Sequence, residues 1–442
     1  MALFQTTNYN NMKRLIIIIA AGLLAAPGFA QENVYPVAPQ KGMFLIEDVT
    51  VHVGNGQVLE HSAVLVENGK IRQVGGRIAV PAGTNTIQGG SRHLYPGLIL
   101  SNSNLGLVEV NSVRASSDVQ EIGDNNASVH ALVAYNTDSK VINTLRPNGI
   151  LLAHVVPQGG WISGNSSVVQ LDAWNWEDAA YKTDNGIFIT MPALIARPRR
   201  GGGAPGAAPE ADPVKQGLGQ VDAMKQFFRG AKAYTAAHEE TNLGFESVQG
   251  LFNKSKKLFV RANTVRQMLV ALDFVREFGF DVVVVGGADA WQIADLLKQN
   301  NVAVILNQMH SLPTLDDDDV DQPYKTPAQL QKAGVLFAIN DEDGQTRGRN
   351  LPFNAGTAVA YGLTKEEALS AITLNAARIL GIAQQTGSIE VGKDANFVLC
   401  TGDILDMRGN VLTHAFIQGR EVPLVSKQTQ LYERYKAKYG LE

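Results

Sequence analysis

Cysteine is almost absent: Cys400 is the single thiol in 442 residues. One thiol forms no intrachain disulfide and no Cys-rich zinc site. Runs of one charge sign are scarce as well. The 38 basic and 42 acidic residues are interspersed and leave a net charge of −4. That gives no basic face for nucleic acid or an anionic membrane surface. After the first 30 residues no apolar run approaches the roughly 20 residues that span a bilayer. No Gly-x-Gly-x-x-Gly turn follows the first strand-like run of the alternating middle, which argues against a doubly wound dinucleotide-binding fold. Internal repeats with a period of about 20–50 residues are also missing.

What is present is a globular chain, 45% hydrophobic, long enough for two or more domains or one large barrel. At the N-terminus, Met12-Lys13-Arg14 precedes an apolar run from Leu15 to Ala26 and then Pro27-Gly28-Phe29-Ala30. A basic head, a short apolar core and a small-x-small ending predict a secretory signal within residues 1–30, cut after Ala30, with Met12 as an alternative start. Export to a periplasm, or secretion, is the expected localisation.

Both ends of the remaining chain read as β-structure. "FLIEDVTVHV" and "SAVLVENGKIRQVG" are strand-like, and Asn68-Gly69 is a two-residue hairpin turn. "GSIEVGKDANFVLC" and "VLTHAFIQGREV" have the same character near the other end. Residues 41–95 and 386–424 are therefore expected to form one small β-sandwich domain. Between them, "LFVRAN", "DVVVVGG", "VAVILNQ" and "VLFAIND" alternate with amphipathic helical stretches, and "GLILSNS", "GILLAHVV" and "GIFITMPAL" come earlier. Short apolar strands alternating with helices make a parallel α/β sheet. Seven candidates approach the eight of a (β/α)8 barrel, assigned to residues 96–385. A Gly/Ala/Pro-rich loop is read at 201–213, a Gly/Ser-rich loop at 157–167, and a helical tail at 425–442.

"YPGLI" (95–99), "LPTLDDDDVDQPY" (312–324), "GLTKEEALSAITLNAARILGI" (362–382) and "GSIEVGKDANFVL" (387–399) together resemble the amidohydrolase superfamily, nearest its imidazolonepropionase-like and prolidase-like members. The resemblance spans residues 41–424. It implies hydrolysis of C–N bonds in amides, cyclic amides or dipeptides by a water activated on one or two divalent metals, usually zinc.

The positions that this resemblance assigns to metal ligands carry other residues. The first barrel strand of such proteins ends in Asp-x-His-x-His; here it reads Leu100-Ser101-Asn102-Ser103-Asn104. The fifth-strand histidine falls at Arg261 or Asn263, and the sixth-strand histidine at about Gly286. The eighth-strand aspartate is matched by Asp341, or by Glu342 one position on. Zinc takes imidazole, thiolate or carboxylate and needs about three protein ligands to keep a catalytic position open. If Arg261 points inward, a divalent ion about 5 Å away is repelled by roughly 7 kcal/mol at an effective dielectric near 20. No metal and no other cofactor is expected.

Asp341 is then the candidate general base, and Arg261 the cation that clamps a carboxylate or polarises a carbonyl. Asn102, Asn104, Asn263 and His310 are candidate substrate-binding residues. Asp316–Asp319 with Asp321 lack the glycine and spacing of a calcium loop. Three readings stay open: a C–N hydrolase working without the usual metal, a non-catalytic binder of a small molecule or short peptide, and a partner subunit of a metal-competent relative. Self-association is open too.

Overall fold

The computed structural model describes residues 35–194, 212–234, 240–307, 309–313, 318–341 and 347–441. The expected signal segment 1–30, most of the 201–213 loop, Asp316, Asp317 and Glu342 lie outside these residues.

In chain order the strands are β1 (Met43–His52), β2 (Val58–Glu67), β3 (Lys70–Gly75), β4 (Asn85–Pro96), β5 (Leu98–Ser103), β6 (Ile150–Val155), β7 (Ile162–Gln170), β8 (Ala180–Thr190), β9 (Lys257–Ala262), β10 (Val282–Gly286), β11 (Ala303–Leu306), β12 (Phe337–Ile339), β13 (Phe397–Cys400), β14 (Leu412–Ile417) and β15 (Arg420–Glu421). They make two sheets. The first has the order β15-β14-β13-β4-β1-β2-β3 and joins both ends of the chain. Its β2–β3 turn is tight because Asn68 and Gly69 both take positive φ, 48° and 81°. A side chain at 69 would also meet the Gln418 carbonyl at 2.7 Å.

This sheet closes over itself. Phe44 on β1 and Phe416 on β14 are three strand spacings apart in order, about 14 Å in a flat sheet. Their ring centroids are nevertheless 5.2 Å apart, with Phe397 against Phe416 at the same separation. The fold-over traps a core of Ile46, Val51, Val64, Val66, Ile71, Leu94 and Leu399.

The second sheet, β5 to β12 in sequential order, is a nearly closed eight-stranded barrel. The seven apolar runs read from sequence are β5, β6 and β8 to β12. The eighth strand, β7, rises from the stretch read as a Gly/Ser-rich loop, and it runs antiparallel to both β6 and β8. An antiparallel return needs only a short turn where a parallel one needs a crossover helix. Its polar residues are all buried, and most are internally bonded: Asn165 Nδ2 donates to the Ala127 carbonyl at 2.9 Å, and Ser166 Oγ donates to Asn185 Oδ1 at 3.1 Å.

Sheet and barrel are tied by a buried charge triad. Asp172 takes Arg146 at 3.2 Å on one carboxylate oxygen and Arg420, from β15, at 3.3 Å on the other. The Val37 N–H also donates to that carboxylate. The tail helix Lys427–Tyr439 starts at a Ser426–Thr429 capping box and buries no residue.

Candidate active site

The barrel seam lies between β5 and β12, which share no strand ladder. Asn340, one residue past β12, bridges it with its side chain. Its Nδ2 donates to the Asn102 carbonyl at 2.8 Å, and its Oδ1 accepts the Asn102 N–H at 3.0 Å. One carboxamide thus imitates a strand neighbour. Asn307, just past β11, completes a cluster: its Oδ1 lies 3.4 Å from the Nδ2 atoms of both Asn102 and Asn340. Asn102 and Asn340 are fully buried, and Asn102 Oδ1 has no hydrogen-bond partner among the described residues.

Below this cluster the barrel is filled. His154 on β6 is fully buried, with Nδ1 2.9 Å from the Ser101 carbonyl and Nε2 3.0 Å from Asn185 Oδ1. Burial pushes its pKa down to about 4, so the ring is neutral. A neutral ring carries one N–H and donates to only one of these two acceptors. Phe188 and Phe259 pack against this ring, with centroids 5.6 and 5.0 Å away.

Arg261, near the C-terminal end of β9, is half-buried. Its guanidinium sits 4.7 Å from the Phe188 ring centroid and donates to the Pro157 carbonyl at 3.1 Å. A permanent cation therefore stands over the aromatic floor of the barrel.

The other sequence candidates enter different networks. Asp341 is buried, but alternation turns it to the face opposite Asn340. There Asn354 Nδ2, on the helix Leu351–Ala360, donates to its Oδ2 at 2.9 Å. Asn104 is half-buried and opens a turn, its carbonyl accepting the Leu107 N–H. Asn263 is exposed and precedes the Thr264 cap of the helix Val265–Phe278, its N–H donating to Gln267 Oε1 at 3.0 Å. His310 is exposed too: Nε2 lies 2.7 Å from Thr357 Oγ1, and its ring meets Tyr324 on the helix Gln322–Ala333. Residues not singled out from sequence, Asn307, Asn340, Asn185 and Ser166, make the polar interior instead. The available signal was an Asn directly after an apolar strand run, at 307 and at 340.

The donor set does not suit a divalent ion. Asn102 and Asn340 are neutral carboxamides, the second already engaged with the Asn102 backbone and the first with Asn307. Gly286 has φ 107°, and a Cβ there would lie 2.3 Å from Asn263 Oδ1, so backbone and space both exclude an imidazole. Among the described residues no group of three or more His, Cys, Asp or Glu stands where it could hold a metal. Carboxamides are weak ligands for zinc, and Arg261 adds positive charge.

Comparison with known proteins agrees with this architecture. Residues 280–422 match the amidohydrolase family model. The imidazolonepropionase of Deinococcus radiodurans is 24% identical over 395 residues, covering 84% of this chain and 94% of its own length. A second imidazolonepropionase, from Phocaeicola vulgatus, is 37% identical over 110 residues, 24% of this chain and 25% of its own. Among solved structures, an amidohydrolase from Thermotoga maritima superposes with a TM-score of 0.74 at 25% identity, over 86% of this chain and 99% of that one. A Xaa-Pro dipeptidase with methionine in its active site shares the fold at a TM-score of 0.52 and 15% identity, over 86% of this chain and 100% of that one. The fold is that of the solved amidohydrolase structures. The matched segment, the relatives and the solved structures together support the amidohydrolase superfamily.

Proposed function

We propose that the barrel mouth binds a small carboxylate-bearing amide or short peptide, and that the chain does not hydrolyse it through a metal-activated water. The observation that carries this reading is the buried carboxamide cluster of Asn102, Asn307 and Asn340 at the strand tips. The imidazole and carboxylate ligands of the superfamily are expected in this region. A carboxamide both donates and accepts, so such a cluster pairs with a neutral amide, and Asn102 Oδ1 is an acceptor still to be satisfied. Arg261 supplies the positive charge for the ligand's carboxylate. In this reading the exported chain meets its ligand outside the cytoplasm, alone or as the subunit partner of a metal-competent relative.

C–N hydrolysis is the second reading, and one observation favours it. Asp341 is a buried carboxylate at the C-terminal end of a barrel strand, where catalytic groups of such barrels collect. Three measurements on the purified chain separate the readings: elemental analysis, calorimetric binding of N-acetyl amino acids and dipeptides, and a hydrolysis assay with the same compounds. Saturable binding without turnover, weakened in Arg261→Ala, supports the proposal. Turnover abolished in Asp341→Ala moves the conclusion to the second reading. One equivalent of tightly held zinc overturns the metal-free site in both.

A further inference from the structure

Away from the barrel mouth, β1 and β4 meet the helix Lys365–Ala371 and the loop after β13 around a cavity of about 210 Å³. His52, His93, Glu366 and Asp403 line it together with Tyr95 and Lys365. His52 Nδ1 lies 2.7 Å from Glu366 Oε1, and His52 Nε2 lies 3.0 Å from His93 Nδ1. This chain of contacts fixes the neutral tautomers. Carboxylate Glu366 only accepts, so His52 donates to it from Nδ1. His52 Nε2 must then accept, and it takes the proton on His93 Nδ1. His93 is left with a bare lone pair on Nε2.

Two further acceptors share the cavity. Glu366 Oε2 is buried without a hydrogen-bond partner among the described residues. Asp403 is a carboxylate whose charge is offset by Lys365, 2.7 Å away. The balance of Glu366 and Asp403 against Lys365 is one negative charge. Burial, with His52 beside it, holds the His93 pKa below its ordinary value, which keeps that ring neutral. An acceptor-lined cavity with one net negative charge asks for a cation that carries only donors.

We propose that this cavity binds a small primary ammonium group, whose three N–H donors match Glu366 Oε2, His93 Nε2 and the Asp403 carboxylate. A divalent metal is the poorer occupant, since the described residues contain no suitably placed group of three or more ligands. Binding is linked to protons through His93 itself. A proton taken up on His93 Nε2 turns that acceptor into a donor, and the ammonium is released.

The charged and titratable groups facing His93 are His52 from β1, Tyr95 from its own strand, Lys365 and Glu366 from the helix, and Asp403 from the loop. Of these side-chain types, only histidine ordinarily titrates between about pH 5 and 8. Because burial holds the His93 pKa below its ordinary value, affinity falls as the pH drops below the ordinary histidine pKa.

The test is a methylammonium titration of the full chain with ¹⁵N-labelled histidine, followed by NMR. At about pH 8 the His93 Nε2 resonance shifts saturably, while tetramethylammonium, which has no N–H donor, leaves it in place. Glu366→Gln and His93→Gln each weaken binding by roughly tenfold, the size of one lost charge-assisted hydrogen bond. Far-UV circular dichroism confirms that Glu366→Gln is folded. An equal shift with tetramethylammonium, the absence of saturation, or a neutral His93 protonated on Nε2 in the free protein each overturns the proposal.

Discussion

Replacing Asn340 by alanine should open the barrel along the seam between β5 and β12. Asn340 makes two hydrogen bonds to the Asn102 backbone, at 2.8 and 3.0 Å, and both groups are fully buried. Removing the side chain deletes two bonds with a net contribution of about 1 kcal/mol each. It also strands a buried N–H and a buried C=O, whose desolvation costs about 1–3 kcal/mol apiece unless water enters. The expected loss is about 4 kcal/mol or more. Asn102→Ala is the control: its backbone keeps the bridge, and only the 3.4 Å contact to Asn307 is lost. That variant should lose about 1 kcal/mol, part of it offset because an unsatisfied Oδ1 disappears. Urea unfolding followed by tryptophan fluorescence reads both values as shifts in midpoint at constant slope. An Asn340→Ala loss under about 1 kcal/mol, or equal losses in the two variants, would falsify the seam argument.

His154 should make stability depend on acid. Its folded pKa is depressed to about 4 from an ordinary 6.5, so the unfolded chain takes up the proton first as the pH falls. The stabilisation is complete above pH 6.5 and is lost progressively down to about pH 4, roughly 3 kcal/mol in all. Urea midpoints measured across that window should fall in the native chain and stay flatter in His154→Gln. Asp172→Asn should be among the costliest single changes, at about 3–5 kcal/mol, because it leaves Arg146 and Arg420 as buried cations without a counter-charge. Thermal melting of Asp172→Asn beside the native chain checks it, and a melt within a degree or two of native would contradict the triad's role.

Seven of the eight barrel strands were legible because each buries a continuous apolar run that needs no partner to identify it. β7 was not, since Ser163, Asn165, Ser166 and Ser167 look like a loop until their buried surroundings are known. The Asn68-Gly69 turn was readable from the local demand for positive φ. Asn102 was readable as a strand-tip group, and it is one. Its true companions were harder to find, because a single residue decides which face of a strand tip a side chain takes. Asn340 and Asp341 are adjacent, yet one closes the barrel and the other turns to Asn354. Asn263 and His310 follow their strands closely in sequence, but helix capping holds the first and contacts with two helices hold the second. Such choices depend on what packs around a position, which strand periodicity does not encode.

The folded-over sheet also sets an order of events for the nascent chain. Tyr95 on β4 finds its ladder partner in Val398 on β13, a separation of 398 − 95 = 303 residues. Until the ribosome has delivered β13, the hydrogen-bonding edge of β4 stays open and the aromatic core around Phe44 lacks its lid. Pairing across so long a loop is slow, and an unpaired strand edge invites foreign strands. A polypeptide stopped short of Phe397 therefore ends as a sticky fragment, and this sheet is completed only after β13 has been made.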